Sequence, residues 1–291
     1  MTAQAGVIAT APTAVGSDLQ QRARQRYRRR LGLLWLARLG VAVFIVGGWQ
    51  LATTWKWVDP FFYGQPSKIW QSLVTLFTQG SEFGSIWDDI GVTLREAVYG
   101  FFLGTAVGVV LGLLLGQNRF LAGVIGPYIK IVNAVPRIIL GSIFLVAFGL
   151  GPFPKVLLAA VLVFFIVFFN AYQGVREVDP NLVANVRVLG ASPLQVARHV
   201  TVPSALTWII ASLHTAFGFA IIGALVGEVL GSQRGIGLVI SQAQGRLDPN
   251  TVFACMAIMA VITLGAEFLI TLLERRVLSW RPPTHTESAG L

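Results

Sequence analysis

Six long apolar runs limit the folds that are open to this chain. They cover residues 33–54, 92–115, 129–150, 156–172, 205–230 and 252–273. A helix needs about 20 apolar residues to cross the roughly 30 Å hydrocarbon core of a bilayer, whereas barrel strands are shorter and alternate apolar with polar positions. We therefore predict an all-α fold, a polytopic membrane bundle of about six transmembrane helices.

The composition supports lipid as the solvent. Hydrophobic residues make up 55% of the 291 residues and charged residues only 12%, and the mean hydropathy is +0.70. An ordinary soluble domain carries about 25% charged residues, so a water-soluble globular fold is excluded. The single cysteine, Cys255, lies in an apolar run and has no partner for an intrachain disulfide. It is predicted to be a small buried residue.

A basic cluster precedes the first apolar run. The formal net charge is +9, and six of the 22 basic residues are arginines between Arg22 and Arg30. Next to a membrane span, such a cluster fixes orientation and contacts anionic lipid headgroups. Membrane lipid is therefore the expected partner of this cluster, and nucleic acid is not.

The other basic residues predict the topology. With the N-terminus in the cytoplasm, the inner segments hold 14 basic residues and the outer segments 5, leaving out Arg95, Lys130 and Arg137 near span ends. Cytoplasmic loops carry such an excess, so we predict a multi-pass protein of the bacterial inner membrane with both termini cytoplasmic. Residues 1–32 would be a flexible basic tail, 33–277 the transmembrane domain, and 278–291 a second cytoplasmic tail.

Residues 174–203 are too polar to span a membrane and too regular for a loop. Asp179-Pro180 is typical of a helix N-cap followed by proline at the first helical position. Gly190 can end that helix in the left-handed conformation, Ser192-Pro193 begins a second short helix, and Pro203 leads into the next span. The apolar side chains that give the helical spacing are Leu182, Val183, Val186, Leu189, Leu194, Val196 and Val200.

The residues alone predict a helix–turn–helix elbow and leave its role open. A DNA-binding helix–turn–helix is disfavoured because both ends enter the membrane almost at once. An amphipathic loop resting on the bilayer and a helix that docks a cytoplasmic partner are both compatible with the pattern.

The elbow resembles the signature loop of ABC importer permeases, in which E-A-A-x-x-x-G precedes I-x-L-P with nine residues between the two parts. Gly190 matches the motif glycine, and Val200-Thr201-Val202-Pro203 matches the apolar-x-apolar-Pro end at the same distance. Ala184-Asn185-Val186 stands where the family has Glu-Ala-Ala. The resemblance implies that the elbow docks an ATPase through Asp179, Leu182, Ala184, Asn185, Val186, Arg187, Gly190, Ala191, Ser192, Val196, Val200 and Pro203.

Other segments resemble the nitrate/sulfonate/taurine branch of these binding-protein-dependent permeases. Residues 126–137 and 148–151 are similar to its third span, and residues 227–237, which read GEVLGSQRGIG, to the outer end of its fifth. The resemblance covers roughly residues 68–277. Residues 138–147 depart from it, since many relatives have Ala-Pro and a tryptophan there.

The resemblance implies a division of labour between subunits. A second copy of this permease, forming a homodimer, would assemble with two cytoplasmic ATP-binding subunits and an extracytoplasmic solute-binding protein. No G-x-x-x-x-G-K-[ST] loop occurs in the chain, so ATP and Mg²⁺ would bind the partner subunit, with no cofactor on this chain. The chain itself is therefore not expected to be an enzyme.

Polar and helix-breaking residues at membrane depth are candidates for the substrate pathway, because burying them in lipid is costly. His214 could line the pathway or join helices, and Glu228 could belong to an outer gate or cap a turn. Glu96 and Glu267 are predicted to make interhelical hydrogen bonds or ion pairs. The candidates for pathway or gate are Asn133, Pro136, Arg137, His214, Glu228, Gly231 and Ser232.

The predicted function is the permease of an ATP-driven importer for a small oxyanion such as nitrate, taurine or a sulfonate. A vitamin precursor is the alternative solute. A secondary transporter or channel is the rival class, and it would show paired halves with matching interrupted helices. A membrane enzyme would need a cluster of His, Asp, Glu or Cys at one membrane face, which the sequence does not show.

Overall fold

The computed structural model describes the backbone of residues 14–277 and the side chains of residues 30–272, 274 and 276. Within this part of the chain the secondary structure is helical apart from an isolated bridge between Ser81 and Gly84. The helices are α1 (Ala14–Thr54), α2 (Pro60–Tyr63), α3 (Pro66–Gln79), α4 (Ile86–Gln117), α5 (Arg119–Ala134), α6 (Arg137–Phe148), α7 (Pro152–Arg176), α8 (Pro180–Val188), α9 (Pro193–Val196), α10 (Val202–Leu230), α11 (Ile236–Gly245) and α12 (Pro249–Val277), with a π turn at Ala197–Thr201.

The predicted membrane bundle is confirmed. Five helices are long and apolar enough to cross a membrane, and a sixth span is formed if α5 and α6 are counted as one. The five are Arg30–Thr54, Ile86–Gln117, Pro152–Arg176, Pro193–Leu230 and Pro249–Leu272. Each corresponds to a predicted apolar run: four begin three to six residues before it, and Pro193–Leu230 begins 12 residues before it.

The N-terminal unit, which ends at Ser67, contains α1 and α2. Helix α1 begins at Ala14, so residues 14–32 of the predicted basic tail are helical. The earlier part of that tail, 1–13, and the second tail, 278–291, lie outside the described residues. After the span, the backbone N–H of Ser67 donates to Gln50 Oε1 at 3.1 Å, and this contact joins the start of α3 to the end of α1.

The second unit begins at Lys68 and is centred on α4, α7 and α10. Helix α4 has a glycine at every fourth position, and these glycines face α7: Gly100, Gly104, Gly108, Gly112 and Gly116. A Cβ on Gly112 would lie 2.6 Å from Ala171 Cβ, and one on Gly116 would lie 2.7 Å from Val175 Cβ. The two backbones therefore approach more closely than any side chain on α4 would permit.

The third predicted span is not a continuous helix. The chain bends by 89° between α5 and α6, and the break falls at Val135-Pro136. Pro136 has no N–H to continue the hydrogen-bond ladder, and the residue before a proline is pushed away from helical geometry. Val135 accordingly has φ −67° and ψ 129°. The prediction of one helix over 129–150 therefore needs correction to two half-helices.

Candidate functional site

The first half of the elbow has the local structure that the sequence predicts. Asp179 caps α8, its Oδ1 accepting the backbone N–H of Asn181 at 2.8 Å. At the other end Gly190 has φ +86°. Its N–H donates to Arg187 O at 2.9 Å, and the N–H of Ala191 donates to Val186 O at 3.2 Å. This pair of bonds is the Schellman ending, which needs a left-handed residue at the position of Gly190.

The turn then starts the next helix through a capping box. Ser192 Oγ accepts the N–H of Gln195 at 3.3 Å, and Gln195 Oε1 accepts the N–H of Ser192 at 2.8 Å. These reciprocal bonds satisfy two backbone donors that the helix leaves open. The elbow therefore has a defined shape, fixed by local hydrogen bonds on both sides of Gly190.

The second half of the elbow differs from its prediction. Instead of a short helix that ends before the next span, Pro193–Leu230 forms one continuous helix of 38 residues. Pro203 lies near the start of α10 and cannot donate to the carbonyl four residues back. The π turn that precedes it accommodates this, since the N–H of Val202 donates to Ala197 O, five residues back.

The tip of the elbow is apolar and exposed. Val188, Leu189 and Leu194 are 87%, 85% and 78% exposed. Val196 and Val200, on the adjoining turn, are buried and anchor the segment to the bundle. Exposed apolar side chains grouped on an otherwise polar segment are typical of a protein contact. At the motif positions that lack Glu-Ala-Ala, Ala184 and Asn185 are exposed and Val186 is partly buried.

A buried polar cluster lies at the opposite end of the bundle, where α4, α7 and α10 meet. Glu228 is fully buried. The hydroxyl of Thr93 on α4 donates to its carboxylate, 2.8 Å from Oε1. Oε2 accepts the backbone N–H of Gly237 at 2.6 Å. Thr93 Oγ1 in turn accepts the N–H of Ile236 at 3.0 Å, so these bonds hold the turn between α10 and α11 against α4.

Asp89 extends the cluster toward the α3–α4 loop. Its Oδ1 accepts the N–H of Gly235 at 3.1 Å, and its Oδ2 accepts the Ser81 hydroxyl at 2.7 Å. Gly235 has φ +114°, and a Cβ there would overlap the Glu228 carboxylate. Glycine is required at this position both for its backbone angle and for the close approach of the acid.

Lys155 and Glu96 complete the cluster. Lys155, at the start of α7, is buried, and its Nζ donates to Leu150 O at 2.8 Å and Gly151 O at 3.0 Å. Glu96 is buried, and it lines the same cavity as Lys155. The carboxyl oxygen Oε2 of Glu96 has no hydrogen-bond partner among the described residues. A cavity of about 590 Å³ opens beside the cluster, and Arg95 and Arg234 also line it.

The candidate pathway residues lie at three separate places. Arg137 Nη2 donates to Asn133 Oδ1 at 3.2 Å across the bend at Pro136. His214 Nε2 lies 2.9 Å from Glu274 Oε2, joining α10 to α12. Gly231 and Ser232 follow α10, and Ser232 Oγ bonds Arg234 O at 2.5 Å. Glu267 is exposed on α12.

Sequence reasoning missed Asp89, Thr93 and Lys155. A signal was present, since Asp89, Thr93 and Glu96 are spaced by four and three residues and therefore lie on one face of α4. No local pattern identifies their partners, because Thr93 and Glu228 are 135 residues apart.

The bundle, the broken third span and the structured elbow define a polytopic membrane permease. A family model, described as the binding-protein-dependent transport system inner membrane component, matches residues 104–279. The chain belongs to this family, and it is the membrane-spanning permease of an ABC transport system.

Two relatives illustrate the similarity. A Bacillus subtilis permease, SsuC, whose name assigns it to aliphatic sulfonates transport, is 30% identical over 254 residues, which cover 87% of this chain and 90% of the relative. The taurine transport system permease protein TauC of Escherichia coli is 26% identical over 261 residues, covering 87% of this chain and 95% of the relative.

The fold also matches a solved structure. A chain of the MetNI methionine ABC transporter, in inward facing conformations, aligns with a TM-score of 0.56 at 20% sequence identity. The alignment covers 66% of this chain and 94% of the MetNI chain. This comparison supports the same helical architecture.

Proposed function

We propose that this chain forms the membrane pathway of an ATP-driven importer for a small oxyanion of the sulfonate class. Two copies would assemble with two ATP-binding subunits on the cytoplasmic side and with a solute-binding protein on the outer side. ATP and Mg²⁺ would bind the ATPase subunits. Both termini of this chain would be cytoplasmic, in keeping with the distribution of its basic residues.

The observation that carries the proposal is the elbow at 174–203. Its shape is fixed by the Asp179 cap, the Gly190 ending and the Ser192 capping box, and its exposed tip presents Val188, Leu189 and Leu194. An apolar tip of this kind suits the cleft of a partner protein. Because the second half of the elbow is continuous with α10, movement of the docked ATPase would tilt that span.

The sulfonate class is supported by the relatives and by charge. SsuC and TauC are named for aliphatic sulfonates and taurine. The cavity at the predicted outer end is lined by Arg95, Arg234 and Lys155 beside one acidic residue, Glu96, and Arg234 also lies 3.7 Å from Asp88. The N–H groups of these basic side chains are suitable donors for an anion. Arg137 and Asn133, at the helix break, offer further donors where the backbone is irregular.

Reconstitution tests the proposal. The permease is placed in liposomes with its ATPase, the binding protein is added outside, and uptake of radiolabelled taurine and an alkyl sulfonate is measured. Uptake should need ATP inside the liposomes, on the side of the ATPase, and should persist when a protonophore and an ionophore dissipate ion gradients. Gradient-driven uptake without ATPase would identify a secondary transporter and reject the proposal.

Competition tests the solute class separately. Excess unlabelled sulfonate should abolish uptake, whereas a neutral vitamin precursor should leave it unchanged. If only the vitamin precursor is taken up in an ATP-dependent way, the proposed permease role is supported and the proposal that the solute is an oxyanion is rejected.

A further inference from the structure

A second cavity, of about 400 Å³, lies between the elbow and the inner ends of the spans. Three arginines line it: Arg119 at the start of α5, Arg176 at the end of α7 and Arg187 on α8. Gln117 and Thr201 add polar groups, and no Asp or Glu is among the described residues that line it. We infer that this cavity binds the headgroup of an anionic phospholipid and so joins the elbow to the membrane surface.

The helices that meet at the cavity strengthen its positive character. It is lined by Arg119, the first residue of α5, by Pro180, the first residue of α8, and by Pro193, the first residue of the 38-residue helix that contains α10. The N-terminus of a helix carries a partial positive charge and open N–H groups, and both favour a phosphate. In each of these helices one of the first N–H groups is already bound by the side chain of the capping residue, which is Asn118, Asp179 or Ser192.

The arginines are available for such a ligand. Arg119, Arg176 and Arg187 are exposed. Arg176 lies over the ring of Tyr172, and its Nη1 donates to the Tyr172 hydroxyl at 3.0 Å. The other N–H groups of its guanidinium are left to bind a ligand. A carboxylate near the cavity, Asp179, already accepts the N–H of Asn181. Guanidinium groups bind phosphate through paired, charge-assisted hydrogen bonds.

The position of the cavity favours a lipid over a docked protein group. It opens where α4 and α7 end and α5 begins, whereas the exposed tip side chains Val188, Leu189 and Leu194 are not among its lining residues. Basic pockets between membrane helices on the cytoplasmic side bind anionic headgroups. Placement in the inner leaflet rests on the proposed orientation, but binding of the headgroup can be measured in detergent without it.

The test uses the full chain co-purified with its ATPase in detergent. Native mass spectrometry counts bound phosphatidylglycerol, with phosphatidylcholine as the zwitterionic comparison, and the variants are Arg119→Gln and Arg187→Gln. Arg198→Gln is the matched control, because Arg198 is exposed on the same segment and does not line the cavity. Each cavity variant should bind phosphatidylglycerol about tenfold more weakly, as expected for one lost charge-assisted contact. The control and an Arg187→Lys variant should bind more tightly than Arg187→Gln.

Four results would overturn the inference. Equal binding by wild type and both cavity variants would show that the arginines do not hold the headgroup. An equal loss in Arg198→Gln would show general surface attraction. Displacement of the lipid by millimolar inorganic phosphate, with phosphate raising the melting temperature of wild type but not of the cavity variants, would identify a free anion as the ligand. Loss of the co-purified ATPase with unchanged lipid binding would assign the arginines to the ATPase instead.

Discussion

Thr93 on α4 and Glu228 on α10 are joined by a hydrogen bond of 2.8 Å between side chains that are both fully buried. The same threonine accepts the N–H of Ile236, and the same glutamate accepts the N–H of Gly237. Two side chains therefore fix the turn after α10 against a helix from the first half of the domain. The cluster stabilises the end of the bundle that lies opposite the elbow.

Replacing Thr93 by valine keeps the shape of the side chain and removes its hydroxyl. The Ile236 N–H then loses its acceptor and Glu228 loses a donor, and leaving buried polar groups unpaired costs about 1–3 kcal/mol. We expect the free energy of unfolding to fall by about that amount. Thermal unfolding in detergent measures the loss.

Thr263→Val is the control for this prediction. Among the described residues, the Thr263 hydroxyl bonds Met259 O in its own helix and no other group, so its removal should change stability by less than about 0.5 kcal/mol. Equal losses in the two variants would contradict a special role for Thr93.

Replacing Gly104 by alanine should disrupt the contact between α4 and α7. The new Cβ would lie 2.8 Å from Val163 Cβ and would also overlap the backbone of Ala160. Overpacking of this kind costs about 1–3 kcal/mol, and the melting temperature should fall. Gly265→Ala is the matched control, because, apart from the adjacent backbone of its own helix, no atom of the described residues lies within 4 Å of the position its Cβ would take. There the melting temperature should stay the same or rise slightly.

Gly190→Val tests whether the elbow transmits ATP hydrolysis to transport. The φ of +86° at this position is strained for a β-branched residue by about 1–2 kcal/mol. We expect the protein to insert and assemble while the ratio of solute imported to ATP hydrolysed falls severalfold. Reconstituted vesicles give both rates.

Gly190→Asn controls for the loss of glycine itself. Asparagine adopts the left-handed conformation more readily than other residues, so coupling should be largely retained. Wild-type coupling in Gly190→Val would rule out the proposed role of the elbow.

Glu82 and Arg246 form a two-pronged ion pair between the α3–α4 loop and the end of α11. The hydrogen bonds from Arg246 lower the pKa of Glu82 below its usual 4.5. A carboxyl group with a lowered pKa in the folded state stabilises the protein above the unfolded pKa, and this contribution disappears as the pH falls through the folded pKa.

The melting temperature of Glu82→Gln should therefore lie slightly below that of wild type at neutral pH and low salt. The difference should shrink in about 1 M salt, which screens exposed charges, and vanish in acid. A difference that persists at low pH would mean that the amide harms the fold by another route.

The sequence predicts the spans and the elbow because their signals are local. Apolar run length, the Asp179-Pro180 start and the Gly190 ending each act within a few residues. Pro136 predicts that the helix is disrupted at this point. The 89° angle of the bend cannot be predicted in this way, because the direction of a half-helix depends on what it packs against. The pairing of Thr93 with Glu228 was also missed, since it depends on how three helices meet.

The candidate pathway residues show the same limit. Arg137 and His214 are candidates because polar groups at membrane depth are costly, but this cost does not indicate which residues they pair with. Asn133, four residues before Arg137, is a local partner that helical spacing indicates. Glu274, the partner of His214, lies 60 residues away in the sequence, and no local pattern indicates it.

The unbroken helix from Pro193 to Leu230 has a mechanical consequence. At 1.5 Å per residue its 38 residues extend about 57 Å, with the capping box of Ser192 at one end and Glu228 near the other. A small rotation about its midpoint would displace the two ends in opposite directions. The π turn at Ala197–Thr201 is the place where this helix can bend. The stiffness of the π turn would therefore determine how much of a movement at Ser192 reaches Glu228.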